Sequence, residues 1–276
     1  MLVFDGTASG LSTPYLEIPG WLAAVDTAGN LYVVSCFFAV ISNCSPGIDV
    51  YSPGAVATGK PLRSLHPHLT SVYDMTVSKA GEIFVADGSG VAVFSPTAAN
   101  DDAPVRYILL NQPNSIAVDS SDNLYVRAHG TISVFGPTAT GAAAPARVIG
   151  GPQTQIRSAY AYDYGAVAVD ADGKLYVLCV IDQTDGFNNF RVLEFSSAAN
   201  GDVPPLRYVT TPGMTPAYDG TGIAVDATGT IYVSASLAFN IGAVFEFPPD
   251  AAGSVTPSNV ISSSAWGENA GGIAVH

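Results

Sequence analysis

Residues 223–233 read Ile223-Ala224-Val225-Asp226-Ala227-Thr228-Gly229-Thr230-Ile231-Tyr232-Val233. Two β-prone apolar runs flank a short segment holding Asp and Gly, the pattern of a β-hairpin. The Asp side chain can cap the turn, and the Gly can take a positive φ. The apolar character is nearly continuous along both runs, so both faces of each strand are expected to be buried. That suits strands sandwiched between neighbouring sheets.

The unit recurs along the chain. Ala23-Ala24-Val25-Asp26 precedes Gly29 and Leu31-Tyr32-Val33, and Met75-Thr76-Val77-Ser78 precedes Gly81 and Ile83-Phe84-Val85. Ile116-Ala117-Val118-Asp119 precedes Leu124-Tyr125-Val126, and Val167-Ala168-Val169-Asp170 precedes Gly173 and Leu175-Tyr176-Val177. A sixth start, Ile273-Ala274-Val275, ends at His276. A spacing of roughly fifty residues is in the range of repeat architectures. Each unit continues with a run alternating at period two, such as Val91-Ala92-Val93-Phe94 or Ile132-Ser133-Val134-Phe135. A Pro-x-Arg run often follows: Pro61 with Arg63, Pro104 with Arg106, Pro145 with Arg147, Pro205 with Arg207. Four strands per unit describe a β-propeller blade.

The N-terminus completes the count. Val3-Phe4-Asp5-Gly6-Thr7-Ala8-Ser9-Gly10 matches Val134-Phe135-Gly136-Pro137-Thr138-Ala139-Thr140-Gly141 in pattern. The expectation is therefore all-β: a six-bladed propeller of four-stranded antiparallel blades, forming a single domain over residues 1–276. One blade is shared by residues 1–20 and 273–276. The others fall at about 21–72, 73–113, 114–164, 165–220 and 221–271. No Leu-Tyr-Val partner follows Val275. Two readings stay open there: the chain continues, or that blade is one strand short.

These units resemble NHL-repeat propellers and the wider lactonase-like propellers, over nearly the whole chain. The matching residues are those that build a blade, so the resemblance implies fold more than function. Lactonase-like propellers hold a divalent metal in the channel through Glu, Asn and Asp near the innermost strands. Pro113-Asn114-Ser115 is similar to their Pro-Asn-Gly element, which would make Asn114 a ligand, with Asp219 a displaced second one. No Glu matches the remaining position. Such an oxygen site would suit calcium or magnesium, and the implied activity would be a metal-dependent hydrolase or lyase.

Composition narrows the partners. Charged residues make up 12 % of the chain, against about 25 % in typical soluble domains. Net charge is -13, with ten Lys plus Arg. Nucleic acid binding depends on cations that neutralise phosphate, so no nucleic acid partner is expected. No apolar run approaches the ~20 residues of a membrane helix, and no charged-then-apolar leader opens the sequence. The three cysteines, Cys36, Cys44 and Cys179, form no C-x-x-C. Cys36 and Cys44 bracket one loop and are read either as a disulfide or as two free thiols. His66-Pro67-His68 is a local pair, and the four histidines form no constellation. No nucleophile elbow, phosphate loop or dinucleotide fingerprint occurs.

Residues explained by the repeat are not recruited as a site. Asp26, Asp119, Asp170 and Asp226 belong to hairpin turns, and the repeated arginines are read as structural. The spare residues lie in loops of variable length at one face: Cys36 to Gly47, Cys179 to Phe190, Ala235 to Gly242, Gly151 to Gly165, Thr210 to Gly222 and Ser262 to Gly272. They carry aromatics such as Phe38, Phe187, Phe190 and Phe239 beside acids and amides. A Tyr-Asp pair precedes three blades: Tyr73-Asp74, Tyr162-Asp163 and Tyr218-Asp219. Asp163, Asp219 and Asn269 share one offset from the strand that follows.

One reading makes these side chains turn caps and channel plugs. The other makes Tyr162, Asp163, Tyr218, Asp219, Trp266 and Asn269 a site for a small polar ligand, sugar-like or cationic, or for a protein partner. The leading functional expectation is a non-enzymatic binding module with no cofactor, extracellular or periplasmic. The metal-dependent enzyme is the alternative.

Overall fold

The computed structural model describes residues 2–3, 8–11, 16–17, 20, 22–35, 46–53, 59–69, 71–156, 165–181, 189–211, 222–238, 241–263 and 272–275. The chain opens with three short strands, β1 (Leu2–Val3), β2 (Gly10–Leu11) and β3 (Leu16–Glu17). The first blade is β4 (Leu22–Val25), β5 (Leu31–Val34), β6 (Ile48–Tyr51) and β7 (Arg63–Leu65). The second is β8 (Asp74–Val77), β9 (Ile83–Asp87), β10 (Gly90–Phe94) and β11 (Arg106–Leu109). The third is β12 (Ser115–Val118), β13 (Leu124–Ala128), β14 (Thr131–Phe135) and β15 (Arg147–Ile149). The fourth is β16 (Val167–Val169), β17 (Leu175–Ile181), β18 (Asn189–Phe195) and β19 (Arg207–Thr210). The fifth is β20 (Ile223–Val225), β21 (Ile231–Ala238), β22 (Ile241–Phe247) and β24 (Asn259–Ser263), with β23 (Gly253–Ser254) inserted before β24.

Within each blade, consecutive strands pair antiparallel. The apolar-Ala-Val runs form the innermost strands, and β4, β8, β12, β16 and β20 pack in succession around an axis. The core lies between blades, as the continuous apolar runs require. One cluster joins the first and second blades through Val34, Ile48, Ile83 and Phe94. Another joins the third and fourth through Ile132, Ile149, Leu175 and Phe195.

The hairpin turn is a closed polar unit. Asp119 Oδ1 accepts N–H bonds from Ser121 and Asn123, while Oδ2 accepts from the Asn123 amide and the Tyr125 hydroxyl. Asp26, Asp170 and Asp226 repeat the two N–H bonds and the Tyr hydroxyl bond. In the second blade Ser78 replaces the Asp and Phe84 replaces the Tyr. The buried Ser78 hydroxyl has no hydrogen-bond partner among the described residues.

Blades are joined at their outer rims by a repeated clasp. The fourth strand of one blade bridges in parallel to a left-handed residue after the third strand of the next: Leu65 to Asn100, Ile108 to Gly141, Ile149 to Gly201 and Val209 to Gly253. These residues have φ of 52°, 59°, 74° and 75°. The same bridge joins Ile261 of β24 to Gly10 of β2, with Gly10 at φ 61°. The repeated arginine locks the turn. Arg63 donates to the carbonyls of Pro96 and Ala98, Arg147 to Ser197 and Ala199, and Arg207 to Pro249 and Ala251. Asn259 stands in that slot in the fifth blade and donates to Ala8 O at 2.9 Å. Arg106 instead pairs with Glu82 at 2.6 Å.

Two expectations need correction. The described residues form five four-stranded blades, not six. Residues 1–20 and 273–276 do not make a four-stranded blade: β1 pairs with β3 in a separate two-stranded sheet. Gly272–Val275 runs beside Leu22 and Gly222 but joins no ladder among the described residues. The physical reason is local: among the described residues β1 finds its ladder partner in β3, and Gly272–Val275 has none. The loops at one face are also shorter than expected in two blades. Leu178-Cys179-Val180-Ile181 is β-prone and prolongs β17, and β21 runs through a bulge to Ala238.

The Asp–Tyr unit predicts a stability change. Asp119→Ala leaves two turn N–H groups and a Tyr hydroxyl without their acceptor and is expected to cost about 2 kcal/mol. Introducing Ser78→Asp together with Phe84→Tyr is expected to stabilise by about 1 kcal/mol, more than the two single changes combined. Urea unfolding of the four variants checks both statements.

Candidate functional site

The starts of the innermost strands and the ends of the second strands meet at one end of the axis, since Ser115 pairs with Arg127 and Asp74 with Ala86. The polar side chains here run from blade to blade. Asp74 Oδ2 accepts from the Ser115 hydroxyl at 2.7 Å and from the Ile116 N–H at 2.8 Å. Asp74 Oδ1 accepts from the Met75 N–H at 2.8 Å. Ser115 Oγ in turn accepts from the Val167 N–H at 3.0 Å. One Asp and one Ser thus tie three successive innermost strands.

Burial pushes the Asp74 carboxyl up to about 6, and the three donors oppose that rise without cancelling it. Asp74 keeps partial solvent contact, yet protein surrounds it at longer range, so desolvation dominates.

Arg127 is the largest fully buried side chain among the described residues. It sits where the other second strands carry Val34, Ala86, Leu178 and Ser234. Its guanidinium donates to Leu178 O in the fourth blade. Gly165 makes room for it, because a Cβ there would overlap the guanidinium. Arg127 was not singled out in the sequence, although its place in an otherwise uncharged register slot was a usable signal. Asn114 donates its backbone N–H to Arg127 O at 3.0 Å, just ahead of β12.

The end bearing the loops is lopsided. Second and third strands in the first three blades have four or five residues, whereas β17, β18 and β22 have seven and β21 has eight. Two or three extra residues per strand raise the hairpins of the fourth and fifth blades above those of the second and third by roughly 7–10 Å. The raised pair is stiffened by Phe190, whose ring centroid lies 6.1 Å from Phe245 and 6.0 Å from Phe247. Phe190 is buried and belongs to the core, which corrects its reading as a spare loop aromatic.

Tyr162, Asp163, Tyr218, Asp219, Trp266 and Asn269 lie outside the described residues, as do Cys36 and Cys44. Only Asn114 of the two suggested metal ligands is described. No group of three or more His, Cys, Asp or Glu among the described residues could hold a metal. Cys179 is free and buried. Asp101 gathers the His66–His68 pair, 3.2 Å from His68 Nε2, but all three side chains are exposed.

No protein-family model matches the chain, and no curated protein does. Solved structures match at the level of fold. The structure titled Mitotic Checkpoint Complex aligns with TM-score 0.52 and 12 % identity, covering 95 % of this chain and 89 % of that one. The WD40 domain of Toxoplasma gondii coronin aligns with TM-score 0.49 and 11 % identity, covering 92 % and 73 %. The chain is a β-propeller of four-stranded antiparallel blades. Its likeness to NHL and lactonase-like propellers rests on the repeat residues alone.

Asp74 generates a pH prediction. Its folded pKa lies above the ordinary 3.8, so the native state holds a proton that the unfolded chain releases. That contribution is complete below about pH 4 and is lost as pH rises to about 6. The stability of the wild type minus that of Asp74→Asn is therefore expected to fall across this window and then level off. A difference that stays constant with pH would show an ordinary carboxyl. Separately, Gly165→Ala is expected to cost about 2 kcal/mol through overpacking. Combining it with Arg127→Ala should cost less than the sum of the two single changes, as read by urea midpoints.

Proposed function

We propose that this chain is a non-enzymatic interaction scaffold, a propeller with six angular positions whose loop-bearing end engages a protein or small polar ligand. The raised hairpins of the fourth and fifth blades carry this reading. They give the loop-bearing end an asymmetric wall beside the axis, where a rigid scaffold presents variable loops. The polar groups below that wall, Asp74, Ser115 and Arg127, bond to neighbouring blades. Their chemistry supports the fold, so recognition falls to the loops above.

Six positions are supported by the recurrence of the left-handed residue. Gly10, Gly59, Asn100, Gly141, Gly201 and Gly253 all have positive φ and stand at matching places after the third strand of each unit. The two-stranded β1–β3 sheet then takes the outer half of the sixth position, with Gly272–Val275 at its inner edge.

In this reading Tyr162, Asp163, Tyr218, Asp219, Trp266 and Asn269 contact the ligand. Rings supply apolar faces, and acids and amides fix orientation. The net charge of -13 favours neutral or cationic partners over nucleic acid. A Cys36–Cys44 bridge would suit an extracellular or periplasmic protein. The structure titled Mitotic Checkpoint Complex shows a chain of like fold working within a complex.

A ligand screen of neutral and amino sugars and of organic cations, read by calorimetry, tests the proposal. Binding is expected for at least one class, weakened roughly tenfold or more by Asp163→Asn with Asp219→Asn at unchanged urea midpoint. One calcium or magnesium ion per chain, lost with Asn114→Ala or Asp219→Ala, together with turnover of an ester, would replace this reading with a metal-dependent hydrolase.

A further inference from the structure

We propose that Arg191, stacked on Tyr208 at the junction of the third and fourth blades, binds a single carboxylate carried on an apolar body. The site uses residues other than those of the scaffold reading and stands or falls without it.

Three elements build the site. Arg191 lies on β18, two residues before Leu193, which packs in the core between these blades. Side chains two apart share a face of a strand, so Arg191 faces the third blade. Tyr208 of β19 pairs with Leu193 and shares that face. From the third blade comes Gln155, just after the 3-10 turn Pro152–Thr154 that follows β15. Thr154 is fully buried, and its hydroxyl donates to Gly151 O at 2.7 Å. Asp202 of the fourth blade accepts the Gln153 N–H at 2.7 Å. The turn that presents Gln155 is thus tied to both blades.

The guanidinium is held on two sides. Its Cζ lies 4.6 Å from the Tyr208 ring centroid, and Nη1 donates to Gln155 Oε1 at 3.2 Å. A cation over a ring face keeps its in-plane N–H groups for other acceptors. Nε carries one of these. It is buried and has no hydrogen-bond partner among the described residues. The other described arginines bind carbonyls or, in Arg106 and Arg207, a carboxylate as well or instead. Arg191 holds a neutral amide. A buried charged donor without an acceptor is costly, and an incoming acceptor relieves that cost.

The fork of the guanidinium selects the acceptor. Its Nε–H and Nη2–H lie parallel on the edge away from Nη1, and a carboxylate spans such an edge with two bonds. The net charge of -13 opposes a multiply charged anion. The nearest acids on these strands are already bound. Glu194 alternates to the opposite face of β18 and pairs with Arg207 and Lys174. The outer strand specifies the rest of the ligand. Leu206 shares the face of Tyr208 by alternation, and the two are 61 % and 38 % exposed. An apolar group attached to the carboxylate covers them.

The probes are N-acetyl-Ala-Ala-Leu with a free C-terminus, its C-terminal amide, and hexanoate, each titrated into chain 1–276 by calorimetry. The acid peptide is expected to bind, and the amide to bind at least roughly tenfold more weakly. Arg191→Lys keeps the charge but lacks the two-pronged edge. It is expected to weaken the acid peptide roughly tenfold or more at an unchanged urea midpoint. A second measurement is taken on the wild type. The chain has seven arginines, and the Arg191 Nε–H resonance is expected to move downfield with the acid peptide and to stay in place with the amide.

Hexanoate that binds as tightly as the acid peptide assigns the site to free acids, and preference for the peptide assigns it to chain termini. Both are carboxylates on an apolar body. Equal binding of acid and amide, full binding by Arg191→Lys, an unmoved Nε–H resonance, or no binding of either acid would overturn the proposal. The sugars and organic cations that test the scaffold reading carry no carboxylate, so failure of one proposal is read apart from failure of the other.

Discussion

Blades of a propeller touch side by side, with no sheet hydrogen bonds running around the ring unless the rim supplies them. The clasp at the left-handed residue is that supply. At Gly141 the N–H donates to Tyr107 O and the carbonyl accepts from the Leu109 N–H. One residue thereby adds a parallel step to the previous blade's outer strand. The step needs a backbone turned to positive φ, a conformation easy for Gly and tolerated by Asn, and Asn100 is the one non-glycine at these bridges. At three of the steps an arginine, Arg63, Arg147 or Arg207, then closes the turn's carbonyls. Arg63 and Arg147 also lie over Tyr32 and Tyr125, 5.9 Å and 5.8 Å from the ring centroids. Clasp and hairpin turn therefore share one tyrosine, linking the fixed face to the rim.

The clasp leaves the two ends of the axis with different demands. At one end, four hairpin turns repeat the same bonds, so loops there have little freedom to differ. At the other, each junction is solved separately. Asp74 and Ser115 bridge the second to fourth blades, Arg127 with Gly165 fills the third-to-fourth junction, and glycine carries the closure at Gly222 and Gly272. Irregular solutions at one end allow β17, β18, β21 and β22 to lengthen without disturbing the rim.

The repeat made the strands, the turns and the structural role of the arginines readable, because each residue type recurs at the same place in several units. The blade count was less readable. Val3-Phe4-Asp5-Gly6-Thr7-Ala8 resembles a third strand and its turn, and Ala8 does receive the clasp from Asn259. Pairing, however, depends on a neighbour that residue pattern alone does not supply, and among the described residues β1 pairs with β3. Arg127 and Asp74 were hard to read for the opposite reason. Each acts once, across a junction between blades, and no repeat copy marks its partner. The long strands of the fourth and fifth blades were hidden because Asn189-Phe190-Arg191 looks like loop composition until Phe190 is seen packed on Phe245 and Phe247.

The second blade shows what kind of variation this fold accepts. Its turn keeps the backbone bonds of the others, with the Ser78 N–H donating to Glu82 O and the Gly81 N–H to Ser78 O. Losing the carboxylate and losing the tyrosine hydroxyl occur together, as Ser78 and Phe84. A Tyr hydroxyl left beside Ser78 would be a buried donor without its acceptor, which costs more than the bond it replaces contributes. Arg106 adapts in the same blade: it pairs with Glu82 and lies 5.5 Å over the Phe84 ring. Turn, strand and rim therefore change as a set. Residues bound into such sets are constrained by the blade. Positions outside such sets are free to vary without cost to the ring.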